Sequence, residues 1–136
     1  MARNLGCFNL PVVDVARARA FFGRLGFSFD AVFCDQNTAC MRVNRQTMVV
    51  LHARSRFAGY AATPICDPGQ ARETVVAFSA STRQDVDVCV DGALAGGATV
   101  LREPEDLGFM YSRSFCDLDG HAWEVVWMDG SRISAG

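Results

Sequence analysis

The chemistry open to this chain comes from a short set of side chains. It has two histidines, His52 and His121, and all thirteen of its basic residues are arginines. Without lysine there is neither a Schiff-base nucleophile nor a lysine base. Cys7, Cys34, Cys40, Cys66, Cys89 and Cys116 are widely spread and never form C-x-x-C, which excludes zinc-ribbon and thioredoxin-type sites. Most sit in apolar stretches, and Met1-Ala2-Arg3-Asn4 lacks the charged-then-apolar layout of a signal peptide. They read as free thiols of a reducing cytoplasm rather than a disulfide framework. Glu124 stands in an alternating strand with Val126 and Met128 on its own face and Trp123, Val125 and Trp127 on the other, against a helix. A glutamate there either lines a pocket or is salt-bridged, because an unpaired buried charge is costly.

The elements that must position these groups follow from pattern. The chain has 136 residues, 50% apolar and 21% charged, which fits one domain or two small repeats sharing a core. A net charge of −2 gives no basic face for nucleic acid, and no apolar run is long enough to cross a bilayer. Residues 5–13 read as a strand. Asp14 caps a helix whose stripe is Ala18, Phe21, Phe22 and Leu25, and Gly26 stops it. Strands over 27–34, 38–43 and 47–52 follow, with turns at Asp35-Gln36-Asn37 and Asn44-Arg45-Gln46. The pattern then returns: a strand over 73–80, a helix capped by Thr82 with Asp85 three residues on, and the stripe Val86, Cys89, Val90, Ala93 and Leu94. Gly96-Gly97 ends it, and strands over 98–102, 109–116 and Ala122–Met128 complete the second set. Gly26 and Gly97 hold equivalent places 71 residues apart. The expectation is one α+β domain of two βαβββ modules, over 4–52 and 73–129, forming a curved eight-stranded mixed sheet around a pocket. Residues 53–72 show no periodicity and read as a linker or lid, with Phe57 and Tyr60 placed to cover a pocket mouth or to anchor the linker. Residues 130–136 read as a tail.

Two stretches carry a family resemblance. Asn9-Leu10-Pro11-Val12-Val13-Asp14, followed by Phe21-Phe22 and Leu25-Gly26-Phe27, resembles the opening of the vicinal-oxygen-chelate superfamily, which includes glyoxalase I, bleomycin- and fosfomycin-resistance proteins and extradiol dioxygenases. Phe115-Cys116-Asp117-Leu118-Asp119-Gly120, with Glu124, resembles its F-x-D-P-D-G-x-x-x-E signature, with Leu118 in place of proline. The resemblance implies the paired βαβββ fold, a homodimer, and metal ligands, where a metal is used, on the first and last strands of each module. A divalent ion there chelates two adjacent substrate oxygens.

Carried over by position, Glu124 matches the family's carboxylate. Cys7 falls where a histidine is usual, and a thiolate suits hard-metal chemistry poorly. Asn9 shares its face. The last-strand position of the first module is Leu51 or His52, and a one-residue slip would turn His52 to the opposite face. The second module offers Val75, which ligates nothing. His121, Asp117 and Asp119 read as turn residues. Extradiol chemistry needs two histidines and a carboxylate and is disfavoured. A lactoylglutathione-lyase type of isomerase, with Cys7, His52 and Glu124 around zinc, nickel, manganese or iron, is one alternative. A metal-free enzyme with Glu124 as base, aided by Arg113 or Asn9, is another. Arg113 shares parity with Phe115, which turns it away from the pocket, and the simplest alternative to a site role is a surface ion pair with Asp117 or Glu103. The leading expectation is a cytoplasmic small-molecule-binding protein with a degenerate metal site, no confident cofactor, and Cys7, Asn9, His52, Phe57, Tyr60, Phe109, Tyr111, Arg113 and Glu124 as ligand-binding candidates.

Overall fold

The structure, a computed structural model, describes residues 4–132, so the leader reading at Met1-Ala2-Arg3 and the tail beyond 132 lie outside the described residues. The chain divides into two compact units after Cys66.

The first unit runs β1 (Gly6–Val12), α1 (Val15–Arg24), β2 (Ser28–Phe29), a 3-10 turn (Ala31–Phe33), β3 (Thr38–Asn44), β4 (Thr47–Ala53) and α2 (Arg54–Ala61). Its sheet has the order β1-β4-β3-β2, with β1 parallel to β4 and the other pairs antiparallel. Asp14 caps α1 by accepting the Arg17 N–H at 3.0 Å, a bond worth about 1 kcal/mol in such caps. Gly26 takes φ +97°, where an L side chain would be strained. Ala39, Met41, Val49 and Leu51 form one buried face with Val12, Val15, Ala18, Phe21 and Phe22. Cys7, Asn9, Cys40, Met48, Val50, Thr38 and His52 occupy the other face, as the registers Cys7↔Met48, Asn9↔Val50, Cys40↔Val50 and Thr38↔His52 require.

The second unit runs β5 (Val75–Ser79), α3 (Arg83–Ala95), β6 (Thr99–Val100), β7 (Glu105–Asp106), β8 (Met110–Cys116), β9 (Ala122–Met128) and a 3-10 turn (Gly130–Arg132). Its sheet order is β5-β9-β8-β6, with β7 also on β8 and β5 parallel to β9. Thr82 caps α3 through the Asp85 N–H at 3.0 Å. Val86, Val90 and Ala93 pack with Phe115, Trp123 and Val125, all essentially inaccessible. Trp123 lies nearly parallel to Phe115 with ring centroids 6.4 Å apart and meets Phe78 edge-on.

Three expectations change. The α+β class holds, but the strands number nine among the described residues and form a four-stranded and a five-stranded sheet rather than one eight-stranded sheet. The strand expected over 27–34 shrinks to Ser28–Phe29, because Asp30 folds its carboxylate onto the Val32 N–H at 3.2 Å and starts a 3-10 turn. Residues 54–61, read as part of an irregular connection, form α2, which has no side-chain cap, no buried residue, and left-handed Ala62 at its end.

Candidate functional site

In the first unit the site is built on the face of the sheet away from α1. His52 ends β4 with Thr38 opposite it on β3 and Pro11 beside it on β1. Its Nε2 lies 2.8 Å from Asn9 Oδ1. A carbonyl oxygen can only accept, so Nε2 carries the proton and Nδ1 presents its lone pair. That Nδ1 is buried without a hydrogen-bond partner, and so is Thr38 Oγ1 on the registered residue. Tyr60 and Phe57 of α2 lie with ring centroids 5.0 and 6.4 Å from the imidazole. Arg56 donates to the Tyr60 hydroxyl at 3.2 Å and sits 5.8 Å over its ring. His52 is only 3% exposed. Burial, and then the positive charge of Arg56, push its pKa below 6.5, so the ring is neutral at neutral pH.

The register left open between Leu51 and His52 is thereby fixed. Leu51 faces the helix side and is fully buried there, while His52 turns to the face of Asn9 and Cys7. Cys7 is exposed on that face.

In the second unit Glu124 occupies the face of β9 opposite α3, in register with Ser114 on β8 and Ala77 on β5. Its Oε2 accepts from Arg102 Nη2 at 2.6 Å. Arg102 also reaches Glu105 at 3.8 Å. Ser112 and Ser114 share the Glu124 face, and both hydroxyls are buried without hydrogen-bond partners.

Tyr111 and Arg113 are not gathered with Glu124. Tyr111 donates its hydroxyl to Asp87 at 2.7 Å, and Arg113 bonds Asp87 and Asp91 at 2.9 and 2.8 Å, all on α3. The strand alternation that turns Phe115 into the α3 core turns these two the same way, and the ion pair goes to α3 rather than to Asp117 or Glu103. Phe109 lies just before β8, part-exposed, with its carbonyl accepting the Asp129 N–H at 2.7 Å. Asp117 is a turn residue as expected. It accepts from the Asp119 and His121 amides at 2.9 and 3.0 Å and from Trp123 Nε1 at 2.8 Å.

Neither unit gathers a donor set for a divalent metal among the described residues. In the first, His52 offers a single lone pair at Nδ1, because Nε2–H donates to Asn9, and one nitrogen alone does not hold an ion. In the second, Glu124 holds a guanidinium where a cation would have to bind. Among the described residues no three of His, Cys, Asp and Glu are grouped to hold an ion. These residues do not fit a bound divalent metal.

Residues 7–44 match the family described as bleomycin resistance protein-like N-terminal. That match spans less than a third of the chain. The fold is that of solved glyoxalase/bleomycin-resistance structures. Several solved structures share this fold with it. A hypothetical protein from S. aureus is 24% identical with a TM-score of 0.78, covering 93% of this chain and 94% of that one. A glyoxalase/bleomycin resistance protein/dioxygenase family enzyme from Burkholderia phytofirmans is 17% identical at TM-score 0.75, covering 93% and 99%. A genomically encoded fosfomycin resistance protein from Listeria monocytogenes is 20% identical at TM-score 0.65, covering 93% and 92%. No curated protein matches the chain in sequence.

Four polar residues escaped the sequence reading: Thr38, Arg102, Ser112 and Ser114. The serines had a readable signal, since their parity on β8 matches Glu124 across the ladder. Arg102 had none, because its partner is 22 residues away. Among the described residues, no helix is long and apolar enough to cross a membrane.

Proposed function

We propose that the protein is a small-molecule-binding member of the glyoxalase/bleomycin-resistance/dioxygenase superfamily whose metal site is degenerate. The observation that carries this is the Arg102–Glu124 pair, which fills the carboxylate position with a guanidinium. In this reading Asn9, His52, Phe57 and Tyr60 form a ligand-binding surface within the first unit, and Glu124 lies on the polar face of the second. The aromatic rings offer stacking surface to a flat organic ligand, and the neutral imidazole offers a hydrogen-bond acceptor. All six cysteines are free, which supports a reducing, cytoplasmic setting. The protein acts as a homodimer, as the superfamily resemblance implies.

Elemental analysis tests the reading. Purified protein and Glu124→Gln are incubated with zinc, nickel, manganese and ferrous iron, then dialysed extensively. The expected result is no stoichiometric metal in either. Close to one metal per chain, lost in the variant, would overturn the reading in favour of a lactoylglutathione-lyase type of enzyme.

A further inference from the structure

The β2–β3 connection brings two thiols together. Asp35 N–H donates to the Thr38 carbonyl at 2.9 Å, and the Asp35 carboxylate accepts the Asn37 N–H at 2.7 Å. This tight turn folds the chain back so that Cys34 lies beside Cys40. The Cys40 N–H donates to Cys34 Sγ at 3.4 Å, and Cys40 Sγ donates to the Phe33 carbonyl at 3.4 Å. Each sulfur therefore rests against the main chain next to the other cysteine. Cys34 is half-buried, whereas Cys40 is buried.

We propose that Cys34 and Cys40 are a redox modification site, oxidised to an intramolecular disulfide by a low-molecular-weight disulfide of the glutathione class. The turn already sets Cys34 Sγ against the Cys40 amide and Cys40 Sγ against the carbonyl of the residue before Cys34, and the Cys40 side chain must rotate off that carbonyl to meet its partner. Burial, and then the nearby Cys34 and Asp30, push the Cys40 thiol up, so Cys40 is protonated at neutral pH. Cys34 is the more accessible sulfur and attacks first. It loses its proton to solvent, and the resulting thiolate bonds one sulfur of the oxidant and expels the other as a thiolate, which takes up a proton. Cys40 loses its proton to solvent, bonds Cys34 Sγ and expels the second thiolate, which is protonated in turn. Two protein thiols are oxidised and one small disulfide is reduced to two thiols. Because Cys40 lies on the sheet face of Val50 and Asn9, the link alters the wall beside Asn9 and His52. The inference does not depend on the proposed ligand function.

The test uses the full-length protein in a series of reduced and oxidised glutathione mixtures, quenched with acid, denatured and alkylated with N-ethylmaleimide. Trypsin releases residues 25–42, a peptide that contains both Cys34 and Cys40 and no other cysteine. The expected product is this peptide lacking both maleimides and lighter than the dithiol by two hydrogen atoms. A further cut before Asp35 should give two pieces that separate only on reduction. Cys40→Ser should accumulate glutathione on Cys34, and Cys34→Ser should leave Cys40 fully alkylated. A doubly alkylated peptide across the whole series, glutathione retained on Cys34 in the wild-type chain, or a link from Cys40 to Cys7 would each overturn the proposal.

Discussion

Arg102, which follows β6, reaches past β8 to hold Glu124 on β9, with Nη2 and Oε2 2.6 Å apart. The pair sets the character of the second unit's polar face. A carboxylate already bonded to a guanidinium is a poor ligand for a second cation. The same bond explains how a glutamate fits into a strand otherwise made of Ala122, Trp123, Val125, Val126, Trp127 and Met128.

Its energetic weight is small. The Arg102 side chain is 44% exposed and that of Glu124 25%, so solvent screens much of the attraction. A double-mutant cycle of Arg102→Ala and Glu124→Gln in urea denaturation should give a coupling energy of about 1 kcal/mol or less. A coupling of several kcal/mol would mean that the pair holds the sheet together and would undercut its assignment to a ligand-facing surface.

His52 gives a pH dependence with a definite sign. Its folded pKa lies below the ordinary 6.5, chiefly through burial and secondly through Arg56. As pH falls below 6.5 the unfolded chain takes up a proton that the folded chain refuses, so stability falls until the folded pKa is passed. Above 6.5 the ring is neutral in both states and contributes no slope. Chemical denaturation across this range should show the loss in the wild-type protein and a flatter profile in His52→Gln, with Arg56→Gln raising the imidazole pKa as read by NMR titration. An identical slope in His52→Gln would place the titrating group elsewhere.

What the sequence disclosed was local. Asp14 and Thr82 cap helices because a short oxygen-bearing side chain needs only the next turn's amides, and Gly26 and Gly97 mark stops because both take positive φ. The alternation around Glu124 is likewise written in consecutive residues. What stayed hidden depends on distant partners or on weak local signals. Nothing near Arg102 announces Glu124, and nothing in Arg54–Ala61 announces a helix, since Ala53 cannot cap it and none of its residues is buried. The face of Tyr111 and Arg113 was half-legible. Their parity with Phe115 points to α3, but the acceptors Asp87 and Asp91 are known only once α3 has packed on β8.

The turn before β9 makes the sharpest stability prediction. Asp117 Oδ1 accepts the Asp119 and His121 amides, while Oδ2 accepts the indole N–H of Trp123, itself fully buried. In Asp117→Ala all three donors lose their acceptor. An unsatisfied buried donor costs about 1–3 kcal/mol, and the indole has no route to water, so a loss of about 3 kcal/mol is expected in urea denaturation. Asp117→Asn behaves differently. Its carbonyl oxygen can keep the two amides, but its NH₂ then faces the indole N–H, donor against donor. Part of that penalty is recovered, because burial pushes the Asp117 carboxyl above the usual range and the neutral amide escapes the desolvation of a charge. A net loss of about 1 kcal/mol is therefore expected. Trp123→Phe removes the opposing donor, so Asp117→Asn should cost less in that background than in the wild type. Additive costs would show that the indole bond is not coupled to the Asp117 side chain.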